Sequence, residues 1–329
     1  AAQAALAQLS LAAGLYAPPV TGAKTVPEQG WYDPEAGVLA EAPDTGGAPR
    51  AVVTFYRSYL TSADTAPVDS LIGALRERGF AAHGMFAASL KAPEPSRWVA
   101  GTLSHEAPEA VINATAFSAQ GADGAPSPLD SAGCPVFQVA LSTARRRDWA
   151  GAARGLSPQD LAMHVVLPEV DGRVFAGVAS FKAPGRRDPD LQYSRFAHRA
   201  ESERVAAIAD RAAAWARLGR MPAGQRRPAL ILSTYPGRSD QAAHAVGLDA
   251  PESARAIMSA LADSGHDTPP PPERLLPTLQ SEGLSWPLAE YDAALSRLPE
   301  SLRRDLAAAW GPAGDDPLVA DGAFRFPAM

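Results

Sequence analysis

Residues 168–173 concentrate residue types that can handle metals and protons. This short stretch sets Glu169, Asp171 and Arg173 between two apolar runs. Carboxylates are hard oxygen ligands for divalent metals, and a carboxylate can also accept a proton. We predict that Glu169 and Asp171 contact a metal, with Glu169 also acting as a proton acceptor, and that Arg173 binds an anion. An acidic β-turn with Gly172 in the left-handed conformation explains the same residues equally well.

A second polar stretch, residues 233–252, contains Tyr235, Arg238 and His244. An imidazole is a good ligand for divalent transition metals and titrates near neutral pH, so His244 is a candidate for proton or metal handling. Tyr235 and Arg238 are candidates for substrate contacts. The alternative is an ordinary polar loop, in which Asp249 does no more than cap the next helix.

Two further cations follow predicted strands. Arg57 comes after an apolar strand, and Lys182 ends another. Ligands of open α/β sheets bind outside the carboxyl ends of the strands. Arg57 could therefore hold a carboxylate or amide, and Lys182 a carboxylate. The alternatives are a surface ion pair of Arg57 with Asp64 or Asp69 and a solvated Lys182.

Composition excludes several other functions. The 329 residues carry a net charge of −6, which does not fit a nucleic-acid partner, and the only cysteine is Cys134, which excludes a cysteine-based zinc cluster. No apolar run reaches the ~20 residues of a membrane span, and the N-terminus lacks a basic signal region. We expect a cytoplasmic protein. No phosphate-binding loop is present, so any ATP hydrolysis would belong to another chain.

The elements that position these residues alternate between strands and helices. Strands are expected near 51–58, 80–88, 110–117, 135–142, 174–181 and 228–236, with helices between several of them and a long helix over 201–219. This alternation predicts an α/β fold: two Rossmann-like or flavodoxin-like units with mostly parallel sheets, plus extra C-terminal helices. The expected divisions are a helix tail and linker (1–50), a first domain (51–200), and a second part (201–329).

Several of these segments also resemble a known family. LSPQDLAMHVVLPEVDGR (156–173), AVGLDAPES (245–253) and, less specifically, FYRS (55–58) and STYPG (233–237) resemble the large, tetrapyrrole-binding subunits of aerobic cobaltochelatase and magnesium chelatase. The resemblance runs from about residue 50 to the C-terminus. Members of the family are much longer, so the chain is expected to be an internal piece and inactive when isolated.

The resemblance implies a reaction. Co(II), as substrate, would be inserted into hydrogenobyrinic acid a,c-diamide during cobalamin biosynthesis. Partner AAA+ subunits, which bind ATP and Mg(II), would drive the insertion. Two alternatives stay open: a non-catalytic docking module of the complex, and a magnesium chelatase subunit acting on protoporphyrin IX.

Overall fold

The computed structural model describes residues 2–17, 25–121, 124–190, 192–233, 243–244, 246–281 and 283–326. The chain divides into two compact units, residues 1–219 and 220–329. None of the helices in these described ranges combines the length and the apolar character needed to cross a bilayer.

The first unit is built on an eight-stranded sheet with the order β2-β1-β4-β3-β5-β6-β7-β8. Its five central strands, β4-β3-β5-β6-β7, run parallel, and antiparallel strands close both edges. The strands are β1 Gln29–Asp33, β2 Gly37–Leu39, β3 Arg50–Tyr56, β4 Ala81–Ala87, β5 Ala110–Asn113, β6 Val136–Ser142, β7 Val174–Pro184 and β8 Phe196–Ala200.

Helices cover both faces of this sheet. They are α1 Ala2–Ala12, α2 Arg57–Thr61, α3 Ala66–Arg76, α4 Pro93–Glu106, α5 Arg146–Gly151, α6 Pro158–Leu161, α7 Leu167–Val170 and α8 Ser202–Arg220, with a π-helical turn at Ala162–Val166 and a 3₁₀ turn at Pro128–Ala132. Because side chains alternate along a strand, Val53 packs with α3 and α8 on one face, while Val52 packs with α4 on the other. The α/β class with a mostly parallel sheet is confirmed.

The second unit carries the C-terminal helices. They are α9 Ala250–Asp263, α10 Leu275–Ser281, α11 Leu288–Leu295 and α12 Glu300–Trp310, with 3₁₀ turns at Ala223–Gln225 and Ala313–Asp315. In its described part, three short strands, β9 Leu284–Pro287, β10 Val319–Ala320 and β11 Ala323–Phe326, form an antiparallel sheet. The parallel sheet expected here is not formed by the described residues.

Two expectations about local structure were wrong. The apolar run expected as a strand from residue 228 is irregular over 228–233, and Ile231 is 85% exposed. An apolar run becomes a buried strand only when a neighbouring strand completes its hydrogen bonds, and none of the described strands pairs with it. Within the expected linker, residues 29–39 instead supply β1 and β2, and Trp31 and Tyr32 of β1 are buried.

Candidate ligand site at the carboxyl edge of the first sheet

A cavity opens where the chain connections of the first sheet diverge. β3 lies between β4 and β5, and the connections leave it toward opposite sides, which is the point where doubly wound sheets bind ligands. The cavity measures about 410 Å³. The cavity is lined by Tyr56 at the end of β3, residues 89–91 after β4, residues 116–119 after β5, and Leu167.

Phe117, in one wall of this cavity, has a strained backbone. Its φ of +67° lies in the left-handed region, which residues other than glycine rarely adopt. Its amide donates to the carbonyl oxygen of Met163 at 2.8 Å, so the loop after β5 is tied to the π-helical turn. The phenyl ring is 49% exposed. Strained residues and single π turns are both concentrated at functional sites, and here they adjoin.

Asp160 anchors the start of the segment that contains the π turn. Its fully buried carboxylate accepts hydrogen bonds from Ser142 Oγ at 2.7 Å and from Oγ1 and the amide of Thr143, at 2.9 and 3.1 Å. Burial alone would raise the pKa of Asp160, but these hydrogen bonds outweigh it and hold the pKa below its ordinary value. As expected, Ser157 caps the short helix, accepting from the Asp160 amide.

Asp171 anchors the other end of the same segment. Its buried carboxylate accepts hydrogen bonds from Ser118 Oγ and from the amide of Ala119. Arg173 is also inside, with a side chain that is 4% exposed and donates to Asp130 at 2.7 Å. The Asp171 carboxylate is committed to internal donors, so its predicted metal contact does not fit this geometry. Arg173 is paired through Nη1, but its buried Nη2 has no hydrogen-bond partner among the described residues, and its anion contact stays a prediction.

Between the two anchors, the chain presents an apolar surface. Leu161, Val166, Leu167 and Val170, which we call the ledge, are 38–64% exposed, and Leu167 borders the cavity. Glu169 lies among them and is exposed. Its carboxylate makes no hydrogen bond or ion pair with any residue that the structure describes. The arrangement offers a flat apolar contact beside a carboxylate that is free to accept a proton.

Arg57 and Lys182, the other cations predicted to bind a ligand in the first unit, differ in whether their side chains have internal partners. Arg57 donates to the carbonyl oxygens of Val26 and Pro27, at 2.7 and 2.9 Å, and lies 3.5 Å from Glu28. Its planar group is therefore occupied by the N-terminal segment, so the predicted ligand contact does not fit. Lys182 is half-buried near the end of β7, opposite His198 on β8, and forms no ion pair within the described residues.

Sequence reasoning missed the buried histidines at this edge of the sheet as a group. His164 Nδ1 lies 3.2 Å from the carbonyl oxygen of Asp160, and His198 Nδ1 lies 3.0 Å from Ser180 Oγ. Burial lowers the pKa of both rings, that of His198 to about 4. The sequence alone indicates a structural or exposed role for His198, and its burial against Tyr59 fits the structural one. In the sequence, the signal for His164 is its position at the start of the apolar run HVV, next to the acidic turn.

These histidines predict a loss of stability in mild acid. The folded state holds His198 neutral, whereas the unfolded chain binds a proton below the ordinary pKa of 6.5. The contribution of neutral His198 to the free energy of unfolding is therefore fully present above pH 6.5 and is lost as the pH drops toward 4. We expect His198 to contribute about 2–3 kcal/mol to this loss. Denaturant unfolding at half-unit pH intervals measures it.

The matched comparison for this experiment replaces histidine at a buried and at an exposed position. His198→Gln should flatten the free energy of unfolding between pH 6.5 and 4, and His105→Gln, at an exposed position on α4, should leave the slope unchanged. A slope that survives His198→Gln would assign the acid sensitivity to other groups.

The second unit offers less chemistry. His244 is exposed, and the predicted contacts Tyr235 and Arg238 lie outside the described residues. Asp249 caps α9 by accepting from the Glu252 amide at 3.0 Å, as expected. A groove of about 900 Å³ is larger than the cavity of the first unit, but its lining is mostly aliphatic and proline side chains. Across the described residues, no three His, Cys, Asp or Glu side chains are grouped to hold a metal.

Fold and site together define a class of protein. The first unit is a doubly wound α/β sheet with a cavity at its topological switch point, the place where sheets of this class bind their ligands. The family model described as CobN/Magnesium Chelatase matches residues 3–329, and the chain belongs to this family.

Individual relatives agree with this assignment. The chain is 35% identical to the "Aerobic cobaltochelatase subunit CobN" of Sinorhizobium sp, over 85% of its own length and 23% of the relative's. It is 26% identical to a magnesium-chelatase subunit of Rhodobacter capsulatus, over 75% and 22%. Among solved structures, the "Catalytic Subunit of Cobaltochelatase from Mycobacterium tuberculosis" matches with a TM-score of 0.71 and 26% identity, over 94% of this chain and 27% of that one. The chain thus spans about a quarter of these relatives, and the predicted family is confirmed.

Proposed function

We propose that this chain supplies part of the tetrapyrrole-binding surface of a cobaltochelatase large subunit. In this proposal, the intact protein inserts Co(II) into hydrogenobyrinic acid a,c-diamide in the cytoplasm, as a step of cobalamin biosynthesis. AAA+ partner subunits bind ATP and Mg(II) and hydrolyse the ATP. The observation that carries the proposal is the ledge, an exposed apolar surface that borders a cavity at the ligand-binding edge of the sheet.

The cobalt branch is favoured over the magnesium branch by degree of similarity. Identity to the cobaltochelatase relative is 35%, against 26% for the magnesium chelatase relative. We therefore take a cobalt-free precursor of cobalamin as the substrate in preference to protoporphyrin IX.

The chemistry assigned to this chain is modest. Inserting Co(II) into this corrin-type ring requires removal of its inner N–H proton, and Glu169 is the described side chain that we propose to accept it. The ledge would hold one face of the ring and exclude water from it. His244 stays a candidate for proton or metal transfer from the second unit, together with Tyr235 and Arg238 for substrate contacts, and Lys182 stays a candidate for a peripheral carboxylate.

A binding experiment tests this proposal. We expect the intact protein that contains these residues to bind hydrogenobyrinic acid a,c-diamide saturably, followed by tryptophan quenching and by the visible spectrum of the ligand. Leu167→Ser should weaken this binding about tenfold, because a buried leucine side chain contributes about 1.5–3 kcal/mol.

Leu218→Ser provides the matched control. Leu218 is 45% exposed on α8, comparable with 38% for Leu167, and it does not line the cavity. Absence of saturable binding by the intact protein would contradict the proposed function. Equal binding by wild type and Leu167→Ser would remove the ledge from the binding surface and favour a docking role for this part of the chain.

A further inference from the structure

Among the described residues that line the cavity in the first unit, Lys91 is the one with a charged side chain. Lys91 is exposed and follows β4 on the short connection to α4. Its ammonium group makes no hydrogen bond or ion pair with any residue that the structure describes. By contrast, Arg57 donates to main-chain carbonyl oxygens and Arg173 is buried with Nη1 donating to Asp130, and neither is among the described residues of the cavity wall. The described cation that remains available at this cavity is therefore a lysine that the sequence motifs did not indicate.

The polar groups next to Lys91 in the cavity wall also favour a ligand that accepts hydrogen bonds. Ser89 Oγ accepts from the amides of Lys91 and Ala92, at 3.1 and 3.2 Å, and its own hydrogen is donated to none of the described residues. Tyr56 and Ser118 already donate, to the carbonyl oxygen of Ala116 and to Asp171. Among the described side chains of the wall, the donors without a described acceptor are therefore the Ser89 hydroxyl and the Lys91 ammonium group.

The apolar groups of the wall lie beside these donors. The backbone of Phe117 has a positive φ and is tied to Met163 by a main-chain hydrogen bond, and Phe117 is 49% exposed in the cavity wall. Leu167 belongs to the ledge and borders the same cavity. A ligand that satisfies this site presents an apolar face to Phe117 and Leu167 and a carboxylate or carboxamide oxygen to Lys91.

We propose that Lys91, assisted by Ser89, binds a peripheral carboxylate of the tetrapyrrole and so sets the orientation of the ring on the ledge. This inference rests on the proposed function, because it takes the tetrapyrrole as the ligand. The interaction is a charge-assisted hydrogen bond at a partly exposed position, and it determines which edge of the ring enters the cavity. Lys91 is a specificity residue in this scheme and takes no part in proton transfer.

The test compares two ligands on the intact protein: hydrogenobyrinic acid a,c-diamide, with its free carboxylates, and its fully esterified derivative. We expect Lys91→Met to weaken binding of the free acid about fivefold to tenfold and to change binding of the ester less than twofold. Lys91→Arg keeps the charge and should restore most of the affinity. Added salt should reduce the wild-type preference for the acid, because the pair is exposed.

Arg217→Met is the matched control. It removes one exposed positive charge from α8, away from the cavity wall, and should leave both affinities unchanged. If wild type binds the acid and Lys91→Met binds it equally well, the role of Lys91 is overturned while the proposed function stands. An equal loss for acid and ester would also overturn it, because the lost contact would not be to a carboxylate. If wild type binds neither ligand, the proposed function itself fails.

Discussion

Replacing Glu169 by glutamine should lower the rate of cobalt insertion by about 10²–10⁴-fold, the usual contribution of a general base. Glutamine keeps the size of the side chain but replaces one carboxylate oxygen by an amide NH2 group, and it cannot accept the ring N–H proton at neutral pH. Tetrapyrrole affinity should change less than threefold, since the apolar ledge around residue 169 is intact. Single-turnover insertion by the assembled complex, with its ATPase partners, separates the chemical step from binding.

Two other carboxylates serve as comparisons in this experiment. Glu203→Gln, at an exposed position in the first turn of α8, should leave insertion unchanged. Asp171→Asn lies two residues from Glu169 but disturbs the hydrogen bonds to Ser118 and Ala119, so it should reduce stability and binding together. If Glu169→Gln inserts cobalt at the wild-type rate, proton removal belongs to another group, and His244 becomes the next residue to replace.

The first sheet was predictable because its signals are local. Short apolar runs separated by helix starts, such as Ser157 before Pro158, indicate alternating strands and helices. β1 and β2 were missed for the opposite reason. They are short, they lie in a segment rich in proline and glycine, and β1 is held in place by pairing with β4, more than 50 residues later along the chain.

The sequence singled out a segment that borders the cavity through Leu167, and most of the roles predicted for its residues stay predictions. Residues 156–173 stand out for their charged side chains, and the structure buries most of those charges. The Asp160 carboxylate accepts a hydrogen bond from Ser142, and the Asp171 carboxylate accepts one from Ser118. These serines are distant along the chain, so a local sequence pattern does not predict the pairs. The groups left for a ligand are the leucines and valines of the ledge, together with Glu169. Lys91 gives no signal in the sequence, because a lone lysine after a strand is usually solvated.

Replacing Asp160 by alanine should lower the free energy of unfolding by about 3–5 kcal/mol, the range for breaking a buried, charged hydrogen-bond network. The substitution leaves the hydroxyl groups of Ser142 and Thr143 and the Thr143 amide without their acceptor. Ser142 is fully buried, whereas Thr143 is exposed. Denaturant unfolding measures this loss. Asp148→Ala, at an exposed position on α5, should cost less than about 0.5 kcal/mol.

The pH dependence of the same variant identifies the mechanism. The folded-state pKa of Asp160 is lowered, so its contribution is present above the ordinary value of 3.8 and is lost as the pH falls through the folded-state pKa. Asp160→Asn retains one carbonyl acceptor and should fall between wild type and Asp160→Ala at pH 7. All three proteins should approach one another in strong acid. A difference that persists there would mean that Asp160 acts through packing and not through its charge.

Asp160→Ala should also weaken tetrapyrrole binding under conditions where it remains folded, because the ledge begins one residue after this anchor.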